Sequence, residues 1–257
     1  MAIIYALTNQ KGGVGKTTTT INLGAYLAKL DQRVLLVDID PQANSSSGLG
    51  VEENDPSIYE VLMEIEDIEE SIQSTYMPYL DIVPSTINLV GAEVELVSLE
   101  NREFKLLEPL KRLKEQYDYI FIDCPPSLGL LTLNALTASE SVLIPVQCEY
   151  FALEGLGQLL NTINLVRKNL NPNLAIEGVL LTMFDRRLKL SHQVKEEVIK
   201  YFGEKVFNSV IYRNVRISEA PSHQKPVLLY DAISTGAANY MALANELIER
   251  KKQSVNE

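Results

Sequence analysis

Short apolar runs alternate along this chain with longer stretches in which apolar residues recur every three or four positions. The runs Ile3–Leu7, Arg33–Asp38 and Tyr119–Asp123 are nearly continuous and rich in β-branched residues, a pattern typical of parallel strands buried on both faces. The stretches between them, such as Lys16–Leu30 and Leu153–Asn169, have the spacing of amphipathic helices. The pattern therefore alternates strand and helix.

The rest of the chain continues this alternation. Further strands are predicted at Leu80–Val83, Ser141–Val146 and Ala175–Thr182, and further helices at Ser57–Met63, Ile87–Leu99, Arg102–Gln116, Leu128–Ala138, Ser191–Phe202 and Thr235–Lys252. We therefore predict an α/β fold with a doubly wound, mostly parallel sheet flanked by helices. No internal repeat or low-complexity linker divides the sequence, so we expect residues 1–257 to form one domain.

Composition narrows the class of protein. Hydrophobic residues make up 46% and charged residues 22%, which is ordinary globular usage and excludes a disordered or fibrous chain. No apolar run reaches the roughly 18 residues that span a bilayer, and the first residues lack the pattern of a signal peptide. The two cysteines, Cys124 and Cys148, form no disulfide framework, so a cytoplasmic location is expected.

The net charge of −11 argues at first against a nucleic-acid partner. The charge is distributed unevenly, however. Glu52–Glu70 contains nine acids and no base, whereas Arg186–Lys225 contains nine bases and four acids. The acidity is local, and the second segment is basic enough to contact phosphates.

A glycine-rich segment, Lys11–Thr18, lies between the first strand and the first helix. Glycines let backbone N–H groups converge on phosphate oxygens at a helix N-terminus, Lys16 can reach the β- and γ-phosphates, and the Thr17 hydroxyl can bind Mg²⁺. The predicted nucleotide-binding residues here are Lys11, Gly12, Gly13, Val14, Gly15, Lys16, Thr17 and Thr18. Gln10 stands where the ordinary phosphate loop has its first glycine, and Lys11 on the rim can project into a neighbouring site.

This deviant phosphate loop resembles that of the ParA/MinD group of ATPases, and the likeness is strongest to ParA/Soj partition proteins. It extends to four further segments: Val37–Gln42, Ile122–Ser127, Pro145–Glu149 and Arg213–Ser222. The resemblance implies a P-loop NTPase fold of the deviant Walker A type and ATP and Mg²⁺ as cofactors.

Three aspartates lie at the ends of predicted strands. Asp38 ends the second strand and Asp40 lies two residues beyond it, and Asp123 ends the strand that begins at Tyr119. Carboxyl ends of parallel strands are where such sheets bind ligands, and Asp123 has the Walker B position near Mg²⁺. The resemblance implies that Asp40 orients the attacking water, and Asp38 supports either the phosphate loop or the Mg²⁺ shell. We therefore predict Lys11, Lys16 and Asp40 as catalytic, and Thr17, Asp123 and Asp38 as metal-site residues. No glutamate follows Asp123 to act as a strong base, so we expect slow intrinsic hydrolysis.

The resemblance places the adenine against Tyr212–Asn214. The Asn214 amide can pair with the adenine edge. Tyr212 stands where the family usually has proline, and its ring either stacks on the base or packs in the core.

The resemblance also implies that an ATP-bound homodimer binds duplex DNA without sequence preference. Phosphate contacts by arginine and lysine give such binding and make it salt-sensitive. The predicted DNA-binding residues are Arg213, Arg216, Lys195, Lys200 and Lys225.

In the cycle that the resemblance implies, each monomer donates Lys11 to its partner's phosphates, and a ParB/Spo0J-type protein stimulates hydrolysis. We expect a cytoplasmic, nucleoid-associated protein that does not bind membranes. Since the chain begins directly at the first strand, we expect no operator-binding domain ahead of the phosphate loop.

Three other classes compete with this interpretation. A MinD-like membrane ATPase needs a basic, apolar C-terminal amphipathic helix, and Glu246–Glu257 is too polar after Ile248. A nitrogenase-reductase-like protein needs cysteines for a shared cluster, but both cysteines here lie in ParA-like segments. A nucleotide-binding scaffold without hydrolysis is the third.

Overall fold

The structure, a computed structural model, describes residues 1–51, 56–149 and 152–256. The strands in these residues are β1 (Ile3–Leu7), β2 (Val34–Asp38), β3 (Gln73–Ser74), β4 (Leu80–Val83), β5 (Tyr119–Asp123), β6 (Ser141–Gln147), β7 (Ala175–Phe184) and β8 (Val206–Tyr212). They form one sheet in the order β3-β4-β2-β5-β1-β6-β7-β8. The β3–β4 pair is antiparallel and the other pairs are parallel.

Helices connect the strands and cover both faces of the sheet. They are α1 (Lys16–Lys29), α2 (Asn44–Gly48), α3 (Ile58–Leu62), α4 (Leu89–Glu95), α5 (Leu107–Leu113), α6 (Leu130–Ala138), α7 (Ala152–Asn169), α8 (Lys189–Phe202), α9 (Val215–Glu219), α10 (Val227–Tyr230) and α11 (Thr235–Asn256). The predicted doubly wound α/β fold is confirmed. Among the residues that the structure describes, no helix is both long and apolar enough to cross a membrane.

Side chains of the central strands alternate between two apolar clusters because successive residues of a strand point to opposite faces. In β2, Leu35 belongs to the cluster that contains Leu131 of α6. Its neighbour Leu36 belongs to the cluster that contains Leu23 of α1 and Leu243 of α11. Burial on both faces explains why these strands are continuous apolar runs.

The parallel register brings the carboxyl ends of three strands together. Leu7 of β1 and Asp38 of β2 are both paired with Asp123 of β5. The phosphate loop follows Leu7 directly, so the two aspartates lie next to it.

The structure contains short elements that the sequence did not predict, namely α2, β3, α9 and α10, and two longer regions also differ. The helix predicted from Arg102 covers only Leu107–Leu113, because Pro109 is tolerated only in the first turn of a helix. The strand Val206–Tyr212 was not predicted. Polar Asn208 and Ser209 interrupt its apolar pattern, and its register with β7 is irregular.

Candidate active site

The phosphate loop curls around two glycines in the left-handed region. Gly13 has φ 72° and Gly15 has φ 91°, a conformation that costs glycine little and other residues much. Gly15 is the N-cap of α1 and has no side chain to cap it. The first N–H groups of α1 are therefore available to an anion.

Two polar side chains outside the loop hold its shape. The Thr182 hydroxyl on β7 donates to the Val14 carbonyl at 2.7 Å, and Asn9 Oδ1 accepts from the Lys11 N–H at 3.0 Å. The Asn9 amide also donates to the Pro145 carbonyl of β6 at 2.8 Å. The loop is thus fastened to two neighbouring strands.

Lys16 is buried, with 7% of its surface exposed. Its Nζ donates to the carbonyls of Asn9 at 3.1 Å and Lys11 at 3.4 Å, so it lies beneath the loop where phosphates would enter. Burial lowers the Lys16 pKa, and the nearby Asp123 carboxylate opposes that shift. Lys16 thus places its amino group, largely withdrawn from solvent, beneath the phosphate loop.

Lys11 points elsewhere. Its Nζ lies 3.6 Å from a carboxylate oxygen of Glu149, and its side chain is 34% exposed. Arg213 reaches the other oxygen of the same Glu149 at 3.5 Å. The two lysines of the loop therefore have different surroundings: Lys16 lies inside the site and Lys11 lies on its rim.

Asp123 is fully buried at the end of β5. Its Oδ2 accepts from the Ser45 hydroxyl at 2.7 Å, and the Thr17 hydroxyl is near enough to favour the charged form of this carboxylate. Its Oδ1 is buried and has no partner among the described residues. Burial raises the Asp123 pKa, against the effect of these two hydroxyls. A hydroxyl and a carboxylate with a free oxygen fit Mg²⁺, which takes oxygen ligands and few of them from the protein.

A hydrogen-bond network links Asp38 to Asp40. The Ser46 N–H and hydroxyl donate to Asp38 Oδ2 at 2.9 and 2.8 Å. Ser46 Oγ then accepts from the Ser85 N–H at 3.0 Å, and the Ser85 hydroxyl donates to the Asp40 carbonyl at 2.7 Å. Asp38 Oδ1 accepts from the Asp40 N–H at 3.2 Å. Asp38 is thus bonded to the α2 segment and to Asp40.

Burial and the neighbouring Asp123 charge raise the Asp38 pKa. Asp40 itself is 7% exposed. Its Oδ1 accepts from the Gln42 N–H at 2.9 Å, which holds the carboxylate at the edge of the cleft. The buried carboxylates of Asp123 and Asp40 lie near Lys16. They make a site that favours additional positive charge.

A cleft of about 480 Å³, which we call the phosphate cleft, opens in front of the loop. The predicted site residues in its described lining are Gly12, Gly13, Gly15, Lys16, Thr17, Thr18, Asp40 and Lys225. Lys11, Val14, Asp38 and Asp123 are outside that lining. Val14 is buried behind the loop.

A second space of about 200 Å³, the adenine pocket, shares Gly15, Thr18, Met183 and Pro221 with the phosphate cleft. Its lining includes Tyr212, Arg213 and Asn214. The two spaces are therefore neighbours, with the phosphate loop at one end and the segment predicted to hold the base at the other.

The Tyr212 ring packs away from this pocket. It joins the apolar cluster on the other face of the sheet from its neighbour Ile211. Phe184 meets its edge at 5.7 Å between centroids, and the Arg186 guanidinium lies 4.2 Å above it. Of the two roles left open for Tyr212, these contacts favour packing, so only its backbone is placed to line the pocket.

Asn214 is the N-cap of α9. Its Oδ1 accepts from the Arg216 N–H at 2.9 Å, and its Nδ2 donates to Thr235 at 3.0 Å. Both ends of the amide are thus engaged in holding the pocket wall. A contact with adenine would have to share or replace these bonds.

Of the residues predicted to bind DNA, Arg213, Arg216 and Lys195 lie near the end of β8, whereas Lys200 lies in the last turn of α8, before β8 begins. Arg213 and Arg216 follow that strand, and Lys195 on α8 lies 5.9 Å above the Phe184 ring that meets Tyr212. Lys200 is exposed on α8 and Lys225 is exposed beside the phosphate cleft. Arg216 is paired with Glu219 at 2.9 Å and with Asp231 at 3.2 Å.

The acidic stretch is partly neutralised within the chain. Glu64 pairs with Lys105 at 2.8 Å, and Arg112 pairs with Asp67 at 2.7 Å and Glu69 at 3.1 Å. Residues 52–55 of this stretch lie outside the described residues. In the part that is described, Glu64, Asp67 and Glu69 are therefore paired with bases.

Both cysteines are buried, and burial raises the pKa of each thiol. This favours the structural role expected for them over a cluster ligand, which must be deprotonated.

Four site residues were missed at the sequence level: Ser45, Ser46, Ser85 and Thr182. The run Ser45–Ser47, which begins four residues after Pro41, was a signal for the first two, because hydroxyls can donate hydrogen bonds to buried carboxylates. Ser85 and Thr182 are distant in sequence and gave no such signal.

Comparisons with known proteins identify the family of this chain. A protein-family model described as an AAA domain matches residues 1–176. The chain is 61% identical over 249 residues to the sporulation initiation inhibitor protein Soj of Bacillus subtilis strain 168. The match covers 96% of this chain and 98% of that protein. It is 57% identical over 249 residues to the chromosome partitioning protein ParA of Myxococcus xanthus, covering 96% of this chain and 88% of that protein.

Among solved structures, cobyrinic acid a,c-diamide synthase from Mycobacterium smegmatis with bound ADP and magnesium matches with a TM-score of 0.87 at 36% identity. The match covers 99% of this chain and 97% of that chain. The segments that carry the sequence resemblance, the geometry of the phosphate loop and the near-complete match to Soj and ParA agree. The chain belongs to the Soj/ParA family of chromosome-partitioning ATPases.

Proposed function

We propose that this chain uses ATP hydrolysis to control its own dimerisation and DNA binding, and so partitions chromosomes or plasmids. The relatives named for chromosome partitioning support the process. The solved structure with ADP and magnesium supports the same ligands here. Strands from both halves of the chain share one sheet, which supports a single ATPase domain over residues 1–257.

In the phosphate cleft, the N–H groups of Gly12–Thr18 and the Lys16 ammonium bind the β- and γ-phosphates. The Thr17 hydroxyl and the free oxygen of Asp123 are the groups that would hold Mg²⁺. That ion, when bound, neutralises charge on the phosphate oxygens. Asp40, held by Gln42 and Ser85, orients the attacking water. With a carboxylate that positions water and no stronger base, the expected intrinsic turnover is below about 1 per second.

The position of Lys11 is the observation that carries the dimer proposal. Lys11 belongs to the phosphate loop, yet its ammonium lies on the rim beside Glu149, at 3.6 Å. In a second subunit placed face to face, the phosphates of the bound nucleotide carry more negative charge than the half-exposed Glu149 carboxylate. They would therefore bind the Lys11 ammonium more strongly than Glu149 does. Each monomer then donates Lys11 to the nucleotide of the other.

Dimerisation also explains how an acidic chain binds DNA. Arg213 and Arg216 are more than half exposed but are paired with Glu149 and with Glu219 and Asp231, respectively. One such patch attracts DNA weakly, and two patches on one face add their phosphate contacts. Together with Lys195, Lys200 and Lys225, they form a sequence-independent surface for duplex DNA.

A ParB/Spo0J-type protein then stimulates hydrolysis and releases both the dimer and the DNA. This cycle places the protein in the cytoplasm, on the nucleoid, and requires no contact with a membrane. The length of the last helix does not by itself favour a membrane role, since the sequence after Ile248 is polar.

Light scattering with and without ATP tests the role of Lys11. Lys11→Ala is expected to abolish the ATP-dependent dimer while changing the ATP affinity only a few-fold, because Lys16 still binds the phosphates. Lys29→Ala, an exposed lysine in the last turn of α1, is the matched control and should dimerise normally. An unchanged dimer fraction in the Lys11→Ala protein would refute the dimer mechanism.

A further inference from the structure

One face of α4 is apolar and exposed, although the fold does not need it. Ile87, Val90, Val94 and Val97, which we call the α4 stripe, are between 56% and 74% exposed. Val90 and Val94 lie on α4 and Val97 on its 3₁₀ extension, at a spacing that places them on one side, and Ile87 comes just before the helix begins. The opposite side, with Leu89, Ala92 and Leu96, is fully buried in the core. An apolar stripe beyond the core is typical of a binding surface.

The residues within and just after the stripe are acidic. This stretch contains Glu93, Glu95 and Glu100, and the sequence has no lysine or arginine from residue 34 to residue 101. Glu95 lies between two residues of the stripe and accepts from the Tyr59 hydroxyl of α3 at 2.8 Å. Arg102 is the base that meets the end of the stripe, where it donates to the Val97 carbonyl at 2.8 Å, and it is paired with Glu103. A partner that suits this surface is apolar on one face and basic at its margins.

The stretch of chain that contains the stripe contacts two segments beside the phosphate cleft. Four residues before α4 begins, the Ser85 hydroxyl donates to the Asp40 carbonyl at 2.7 Å. Farther along α4, Glu93 fills the space in which a side chain at Gly129 would lie, and Gly129 is the N-cap of α6, just after Pro126 and Ser127. A shift of α4 would therefore reach the backbone at Asp40 and the loop after Asp123 together.

We propose that the α4 stripe is the docking surface for a basic amphipathic segment of the ParB-type stimulator, and that docking acts on hydrolysis through Ser85 and Asp40. This rests on the function proposed above. An amphipathic helix lays its apolar residues on such a stripe and its lysines and arginines on the acidic margins. A second copy of this chain would bring its own acids against these acids, and DNA would be repelled, so charge favours a basic protein segment over both.

The test measures ATP hydrolysis by the full chain at increasing concentrations of the ParB-type protein from the same organism, in the presence of duplex DNA. Val94→Asp puts a charge at the most exposed position of the stripe. The concentration for half-maximal stimulation is expected to rise about tenfold or more, while unstimulated hydrolysis and ATP-dependent DNA binding stay within a factor of two. Leu165→Asp is the control, because Leu165 on α7 is also an exposed apolar residue, at 61%, and it should respond like wild type.

A second variant tests the charge. Glu100→Lys at the margin of the stripe should weaken stimulation several-fold at low salt and less at high salt, because salt screens exposed charges. Circular dichroism of each variant shows whether it is folded. Should Val94→Asp lose helicity, Val97→Asp, placed after the end of α4, provides the same comparison.

The outcomes separate the two proposals. If wild type is stimulated and both Val94→Asp and Glu100→Lys are stimulated equally well, the docking surface is wrong and the proposed function stands. If Val94→Asp loses the ATP-dependent dimer, the stripe is a contact between copies of the chain and the proposal is overturned. If the ParB-type protein does not stimulate hydrolysis by the wild type, the proposed role of that partner is wrong, and so is the proposed docking surface.

Discussion

The two ends of the nucleotide site are built in different ways. On the phosphate side, Lys16, Asp38, Asp40 and Asp123 are between 0% and 7% exposed, and hydrogen bonds from loops and strands fix them. On the adenine side, the segment 212–225 presents side chains such as Arg213 and Arg216, which are 60% and 52% exposed and held by ion pairs.

This difference predicts how each side responds to change. A buried polar group that loses its partner costs the free energy of its desolvation, whereas an exposed ion pair contributes little and is screened by salt. Substitutions on the phosphate side should therefore have large effects that hardly depend on salt. Those on the adenine side should be graded and salt-dependent.

The largest effect is expected from Asp40→Asn. This change removes the charge but keeps an oxygen that can accept from the Gln42 N–H. ATP hydrolysis should fall about 100-fold or more, with ATP binding retained, in a single-turnover assay. Asp40→Ala should lose as much activity. Normal hydrolysis by Asp40→Asn would mean that Asp40 only shapes the loop.

The next effect is expected from Ser46→Ala, which breaks the network between Asp38 and Asp40. The free energy of unfolding should fall by about 1–3 kcal/mol, because Asp38 loses a buried donor and the Ser85 N–H loses its acceptor. Hydrolysis should fall as well, since Asp40 is positioned through Ser85. Urea denaturation measures the first effect. The exposed neighbour Ser47→Ala is the control and should stay within about 0.5 kcal/mol.

A smaller, salt-dependent effect is expected on the adenine side from Arg216→Glu. ATP-dependent binding to random duplex DNA should weaken about tenfold at low salt, with hydrolysis maintained, in a gel-shift titration at several salt concentrations. Arg33→Glu is the matched control, because Arg33 is also half exposed and paired with an aspartate but lies at the opposite end of the sheet. Equal DNA binding by the two variants would remove Arg216 from the DNA surface.

The same division explains how much the sequence alone could predict. The bounds of β1, β4 and β5 were predicted without error, and the phosphate loop was identified, because continuous apolar runs and a glycine-rich turn are local signals. The strand β8 was missed, since Asn208 and Ser209 break its pattern. The prediction that a helix begins at Arg102 was wrong, because Pro109 is tolerated only in the first turn of a helix.

Contacts between distant segments could not be predicted in the same way. The hydrogen bonds of Ser85 and Thr182 to the loops depend on which strands are neighbours in the sheet, which no local pattern records. The shared pairing of Lys11 and Arg213 with Glu149 depends on three separate segments. Tyr212 illustrates the limit, because its sequence position left two roles open and only the packing of Phe184 and Arg186 distinguishes them.

The smallest effect is expected from Asn214→Ala, which asks whether the adenine side reads the base at all. Loss of the N-cap of α9 should lower the free energy of unfolding by about 1 kcal/mol. If the Asn214 amide only supports the pocket wall, the affinities for ATP and GTP should fall together and by no more than a few-fold. If it pairs with adenine, only the preference for ATP over GTP should be lost.

Asn239→Ala is the control, because Asn239 accepts from the Tyr212 N–H at 3.2 Å and so supports the same wall, yet it is outside the described lining of the pocket. If Asn214→Ala loses the preference for ATP over GTP and Asn239→Ala keeps it, the adenine side contains a specific buried contact like those of the phosphate side. The difference between the two ends would then hold only for their charged residues.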